Sequence, residues 1–284
     1  MTTASAFLVS LSDKATAQGA SYYNNGLDVL GWLNGTSPRP SVDYLASVPL
    51  SLPLIGLTQL AQYLVACKVS DLHPGEMRDR FDGATGHSQG VVSAVAVAAS
   101  DSYEAFDRNA LKALQLLFYI GLRGQEYFPI LALEPKVVED AVENNEGVPT
   151  NMLGINGLQL KELEKHISKT NSFLPTNSQL YVSLHNGPRN FVVTGPAKAL
   201  YGLACALRAV KAPAGLDQSK VPFSKRKQVF SVRFMPINIP FHSPYLQGAT
   251  DKLFTEDLNS QELFSAADIK IPSYATSDGE YYFI

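Results

Sequence analysis

The stretch Gly83-Ala84-Thr85-Gly86-His87-Ser88-Gln89-Gly90-Val91-Val92-Ser93-Ala94-Val95-Ala96 reads as a short strand of small residues, a serine between glycines and an apolar helix. That is a G-x-S-x-G elbow in strand-turn-helix context. A serine held in a strained turn projects its Oγ clear of the backbone, and flanking side chains are expected to collide with neighbouring main chain. The hydroxyl then stands at the positive end of the following helix, where a developing oxyanion is favoured. Ser88 is the expected nucleophile and the backbone N–H of Gln89 the first oxyanion donor. The alternative for Ser88 is a helix cap in a Gly-rich turn.

Outward from the elbow, apolar residues recur at three- and four-residue spacing over 54–69, 90–99, 111–122, 158–169 and 196–210, which predicts helices. Several are apolar nearly all round, as helices sandwiched in a layered α/β core would be. Short strands are predicted at 83–86, 150–155, 180–184, 190–194 and 270–274, each bounded by Gly, Pro or Asn. The strand-helix-strand-strand-helix run across 150–210 is the pattern of a split βαβ, ferredoxin-like subdomain. The expected organisation is a parallel-sheet core at 1–148 and 213–284 with that subdomain inserted at 149–212. The turn-rich segments 144–149 and 211–215 are its expected borders.

Composition narrows the class. Hydrophobic residues at 45% and charged residues at 17% suit a packed globular domain, and a net charge of −3 gives no general attraction to nucleic acid. The opening fourteen residues lack a basic start and a long apolar run, so neither a secretory signal nor a membrane span is expected there. Cys67 and Cys205, the two cysteines, sit in apolar helical contexts as reduced, buried thiols, which suits a reducing, cytoplasmic compartment. No clustered His/Cys set suggests a metal.

A serine of ordinary pKa needs a base within hydrogen-bond reach. His87 adjoins Ser88, but neighbours in a tight turn point apart. His73 precedes a proline, His166 lies on a polar helix face, and His185 closes a strand. His242, in Ile239-Pro240-Phe241-His242-Ser243-Pro244, has prolines on both sides that fix its backbone. Residues alone leave His242 open between base and structural histidine. The basic run at 220–233 is read as a solvated loop or as a partner for phosphates or an acidic domain.

Gly-His-Ser-Gln-Gly at 86–90 with Pro-Phe-His-Ser at 240–243 resembles the acyl-CoA:carrier-protein acyltransferase superfamily. The segments 144–149 (NNEGVP), 186–196 (NGPRNFVVTGP) and 212–224 (APAGLDQSKVPFS) are similar to the acetyltransferase domain of the fungal type I fatty acid synthase beta subunit, and the similarity runs from about 26 to 279. Beta subunits that build starter chains for polyketides share these motifs. The resemblance implies a hydrolase-like α/β core, Ser88 and His242 as catalytic pair, acetyl-CoA as substrate with no permanently bound cofactor, and an acyl carrier protein and other synthase domains as partners. Malonyl-transferring relatives carry an arginine on the second helix after the nucleophile. Alignment places Ile120 there, which suits a methyl or short alkyl group; a one-turn shift would place Arg123 there instead. The resemblance also leads one to expect an opening strand ending in Gly-Gln-Gly. The nearest string is Ala17-Gln18-Gly19, so the domain is expected to be truncated at both ends. A serine hydrolase or thioesterase, or a non-catalytic scaffold piece, are the rival readings.

Overall fold

The computed structural model describes residues 2–213 and 215–280. In chain order the first elements are helices α1 (Thr2–Ala17), α2 (Val29–Asn34), α3 (Val42–Ala46), α4 (Val48–Val69) and α5 (Pro74–Arg78). Strand β1 (Ala84–Thr85) follows, then α6 (Gly90–Ala98), α7 (Tyr103–Tyr127) and α8 (Pro135–Glu143). Next come β2 (Met152–Asn156), α9 (Leu160–Asn171), β3 (Tyr181–Gly187), β4 (Asn190–Thr194), α10 (Ala197–Val210) and β5 (Ser231–Phe234). The chain finishes with α11 (Gln247–Lys252), a π-helical turn (Leu253–Asp257) and β6 (Ser273–Tyr274). It divides into two compact units, Met1–Gly124 with Ala249–Ile284, and Gln125–Gly248.

In the first unit β1 and β6 pair in parallel, Ala84 opposite Ser273. Its core joins Leu8 and Leu11 of α1, Leu50, Leu57 and Leu60 of α4, and Leu114, Leu117 and Phe118 of α7. α4 starts six residues before the predicted helix because Pro49 occupies the first turn, where a missing N–H costs nothing. α4 is long and apolar enough to cross a membrane, yet it supplies core leucines to this unit. Its crossing with α7 is close: a Cβ on Gly121 would come within 2.8 Å of the Val48 carbonyl oxygen. The 16-residue α1 was not predicted, and Ala17-Gln18-Gly19 proves to be its C-terminal end, with Gly19 at φ +96°, rather than the end of a strand.

The second unit contains a four-stranded antiparallel sheet in the order β3-β4-β2-β5. With α9 and α10 this is the expected ferredoxin-like arrangement, βαββαβ. Leu153, Ile155, Phe191, Val193, Val232 and Phe234 of the sheet pack against the apolar faces of the two helices. The unit is wider than the expected 149–212. Its fourth strand arrives only at 231–234, after a long loop, and its first residues are the end of α7. The turn-rich segment 144–149 is therefore no border: it ends α8, with Asn145 at φ +59° and Gly147 at φ +81°. Arg208 holds this segment to α10, donating to both carboxylate oxygens of Glu146 at 2.9 and 2.7 Å and to Asp140 at 2.9 Å. Hydrogen bonds from Tyr201 and Arg208 hold the Asp140 carboxyl below its ordinary pKa. Cys67 is buried, whereas Cys205 is only half-buried, in departure from the expected pair of buried thiols.

Candidate active site

The elbow forms where the sequence places it. β1 ends at Thr85, and hydrogen bonds from Gly90 N–H to His87 O (3.0 Å), Val91 N–H to Ser88 O (3.1 Å) and Val92 N–H to Gln89 O (3.1 Å) wind the chain directly into α6. Ser88 has φ +53°, in the left-handed region that a non-glycine residue adopts at a cost of order 1–3 kcal/mol. The two glycines are not equivalent. A Cβ on Gly86 would lie 2.1 Å from the Gly90 carbonyl carbon and 2.3 Å from Val91 N, so no side chain fits, while a Cβ on Gly90 would meet nothing within 4 Å. The collision expected on both flanks is thus confined to Gly86.

Ser88 is exposed and His87 beside it likewise. Among the described residues no acceptor meets the Gln89 backbone N–H, and its side-chain Oε1 is buried without a donor. An unengaged N–H directly after the serine, at the start of a nine-residue helix, is what an oxyanion donor requires. The same helix is anchored by Ser93, whose Oγ donates to Gln59 Oε1 at 2.7 Å.

His242 belongs to the second unit and Ser88 to the first. Around His242, Phe241 N–H donates to Ile239 O at 2.9 Å, Ser243 Oγ donates to Pro240 O, and Pro244 opens a 3-10 turn. His242 itself is exposed and, like Ser88, is a non-glycine residue in the left-handed region, at φ +56°. The other histidines have evident local places. His73 precedes α5, its N–H bonded to Glu76 Oε2 at 2.7 Å and its ring 5.0 Å from that of Tyr103. His185 packs edge-on against Phe191 at 5.5 Å, and His166 lies on α9.

The two residues weighed for acyl selection differ sharply. Ile120 is half-buried on α7 and packs on the same core cluster as Val91 of α6. Arg123, one turn further, makes a bidentate ion pair: Nε donates to Asp257 Oδ2 and one Nη to Oδ1, each at 2.7 Å. The side chains of Arg123 and Asp257 are 12% and 5% exposed. Sequence reasoning missed Asp257, which stands at the end of the π-helical turn with no local signal pointing to α7.

Residues 6–228 match the model of a family described as starter unit:ACP transacylase in aflatoxin biosynthesis. The chain belongs to this family. The transacylase family assignment agrees with close relatives: the fatty acid synthase subunit beta of Saccharomyces cerevisiae is 47% identical over 266 residues, 94% of this chain and 13% of that protein. That of Schizosaccharomyces pombe is 49% identical over 261 residues, 92% of this chain and 12% of that protein. The chain thus spans about an eighth of the length of these relatives. Among solved structures, the malonyl CoA-acyl carrier protein transacylase of Coxiella burnetii superposes with a TM-score of 0.59 at 15% identity, covering 99% of this chain and 67% of that one. A malonyl-transacylase solved with its type II polyketide acyl-carrier protein gives a TM-score of 0.57 at 19% identity, over 96% and 72% of the two chains. These structures share the fold, a hydrolase-like core with an inserted antiparallel subdomain, as the sequence led one to expect. His242 lies beyond the residues matched by the family model.

Proposed function

We propose that this transacylase-family chain loads a neutral acyl group, acetyl or a short homologue, from coenzyme A onto the phosphopantetheine thiol of an acyl carrier protein, as the starter step of fatty acid synthesis. The single observation that carries the reading is the strained elbow: Ser88 at φ +53° between β1 and α6, with the unengaged Gln89 N–H beside it. His242 takes the Ser88 hydroxyl proton as Oγ bonds to the thioester carbon. The oxyanion is held by the Gln89 N–H, the C–S bond breaks, and the imidazolium returns the proton to the departing coenzyme A thiolate. The carrier thiol then gives its proton to the same imidazole and takes the acyl group, restoring Ser88. No permanently bound cofactor takes part.

The occupied guanidinium of Arg123 supports Ile120 as the residue facing the acyl group. A free malonyl carboxylate beside an isoleucine would be buried without a partner, which is costly, whereas a methyl group is accepted. Relatedness to fatty acid synthase beta subunits supports a place among the other catalytic domains of a cytoplasmic synthase.

Incubation with acetyl-CoA and with malonyl-CoA, read by intact mass, tests the proposal. A Ser88 acetyl adduct that passes to a pantetheine acceptor faster than it is released as acetate is expected, absent in Ser88→Ala and slowed at least a hundredfold in His242→Ala. Faster hydrolysis than transfer would make the chain a thioesterase.

A further inference from the structure

The loop between α10 and β5 concentrates charge and exposed apolar surface in a way that acyl transfer at Ser88 does not explain. Residues 211–233 hold six cations and one anion in a chain of net charge −3. Residues 222–229 are all exposed. Phe223 is 86% and Val229 76% exposed, an aromatic and a valine set among the lysines. Lys220, Lys225 and Lys227 have no carboxylate partner among the described residues. The lone anion, Asp217, is engaged locally, accepting from Ser219 N–H at 2.8 Å and Ser219 Oγ at 3.1 Å, bonds that lower its pKa and keep it ionised.

This loop is braced rather than slack. Gln218 binds the Lys227 backbone twice, accepting from its N–H at 2.7 Å and donating to its carbonyl at 3.0 Å. Arg226 donates to Val221 O at 2.8 Å and Ser219 O at 3.1 Å, and its guanidinium lies 4.6 Å from the Phe223 ring centroid. At the base, Ala212 N–H donates to Gln228 O at 2.8 Å. A surface already ordered loses little conformational entropy on binding. An exposed aromatic backed by arginine, with lysines close by in sequence that have no carboxylate partner among the described residues, is the composition of an interface anchor with a steering rim.

We propose that residues 216–229 form the docking surface for an acidic protein partner, the carrier protein that presents the acceptor thiol. The exposed Phe223 and Val229 among the lysines favour a protein face over the polyphosphate of coenzyme A, which would meet the cations and leave the apolar side chains uncovered. The proposal rests on the acyl-transfer reading for its choice of partner.

The test uses the full chain with Ser88→Ala, so that binding is measured apart from chemistry, titrated with a phosphopantetheine-bearing acyl carrier protein by calorimetry. Lys220→Glu/Lys225→Glu/Lys227→Glu is expected to raise Kd by about tenfold and to abolish its salt dependence. Phe223→Ala is expected to raise it by roughly tenfold at all salt concentrations. With Ser88 restored, both variants acylate from acetyl-CoA at the unaltered rate. A Kd within twofold of the parent in both variants overturns the proposal, and so does slower acylation from acetyl-CoA with carrier binding intact, which would mark a polyphosphate site. A parent that binds the carrier through this loop yet never acylates at Ser88 would remove the transfer function and leave the docking surface standing. A parent that acylates but shows no carrier binding does the reverse.

Discussion

Replacing Asp257 by alanine probes stability and acyl choice together. The carboxylate receives two hydrogen bonds of 2.7 Å from Arg123, and the two side chains are 5% and 12% exposed, so both charges have lost most of their hydration. Removing one partner leaves a buried guanidinium with its main counter-charge gone, a change that costs about 3–5 kcal/mol when burial is complete. The residual exposure of Arg123 places the expectation near the lower end, about 3 kcal/mol, or a fall in Tm of roughly 6–12 °C for a chain of this size. The double variant Arg123→Met/Asp257→Leu removes both charges and is expected to recover most of the loss, because an apolar pair of similar volume needs no hydration. Calorimetric unfolding measures both. A loss below about 1 kcal/mol in Asp257→Ala would show the pair to be solvated and the reasoning wrong. The same proteins test selectivity. If Ile120 faces the acyl group, Asp257→Ala keeps the preference for acetyl-CoA over malonyl-CoA, whereas Ile120→Arg raises malonyl loading by about tenfold or more through a charge-assisted pair. Malonyl loading that rises in Asp257→Ala and not in Ile120→Arg would transfer the selecting role to Arg123.

Other outcomes follow from single contacts. Gly86→Ala puts a methyl group 2.1 Å from backbone, which must distort the elbow; Ser88 acylation should fall at least a hundredfold while Gly90→Ala, with open space around it, keeps more of its activity. Burial, then the neighbouring Tyr181, pushes the Tyr245 hydroxyl up to about 12, and it donates to Gln179 O at 2.7 Å. Its folded pKa exceeds the unfolded value of about 10, so its contribution is complete below pH 10 and lost as pH rises from 10 through 12. Denaturation across that window should be less pH-dependent in Tyr245→Phe. Burial also raises the Cys67 thiol pKa, so a maleimide should label half-buried Cys205 first and reach Cys67 only on unfolding. Simultaneous labelling of both in the native chain would contradict the packing of α4.

The elements that could be read in advance are those whose signal is local. The elbow needs a glycine where backbone meets backbone, and Gly86 announces that contact. The strands β2, β3 and β4 carry alternating or continuous apolar runs bounded by turn formers, and the helices α9 and α10 carry their stripe of leucines and alanines. β5 also had its signal: Phe230, Val232 and Phe234 alternate with Ser231 and Arg233, but the lysines just before them drew the reading toward a charged loop. The short helices α2, α3 and α5 span only five or six residues, too few for a periodicity to stand out. The extent of the second unit was illegible for a different reason: its opening residues lie inside α7, and a helix carries no mark where one packing environment gives way to another.

By itself the chain's order of residues determined the elbow, since a serine that turns from a strand into an apolar helix needs a glycine where backbone meets backbone, and that is a matter of short-range sterics. Only the tertiary structure decided what each neighbouring charge is engaged with. Arg123 and Asp257 are 134 positions apart, and the loop cations at 220–227, unlike Arg208, have no carboxylate brought to them among the described residues. A charged side chain looks the same in sequence whether it is neutralised or free, because its partner is set by folding across long separations rather than by spacing along the chain.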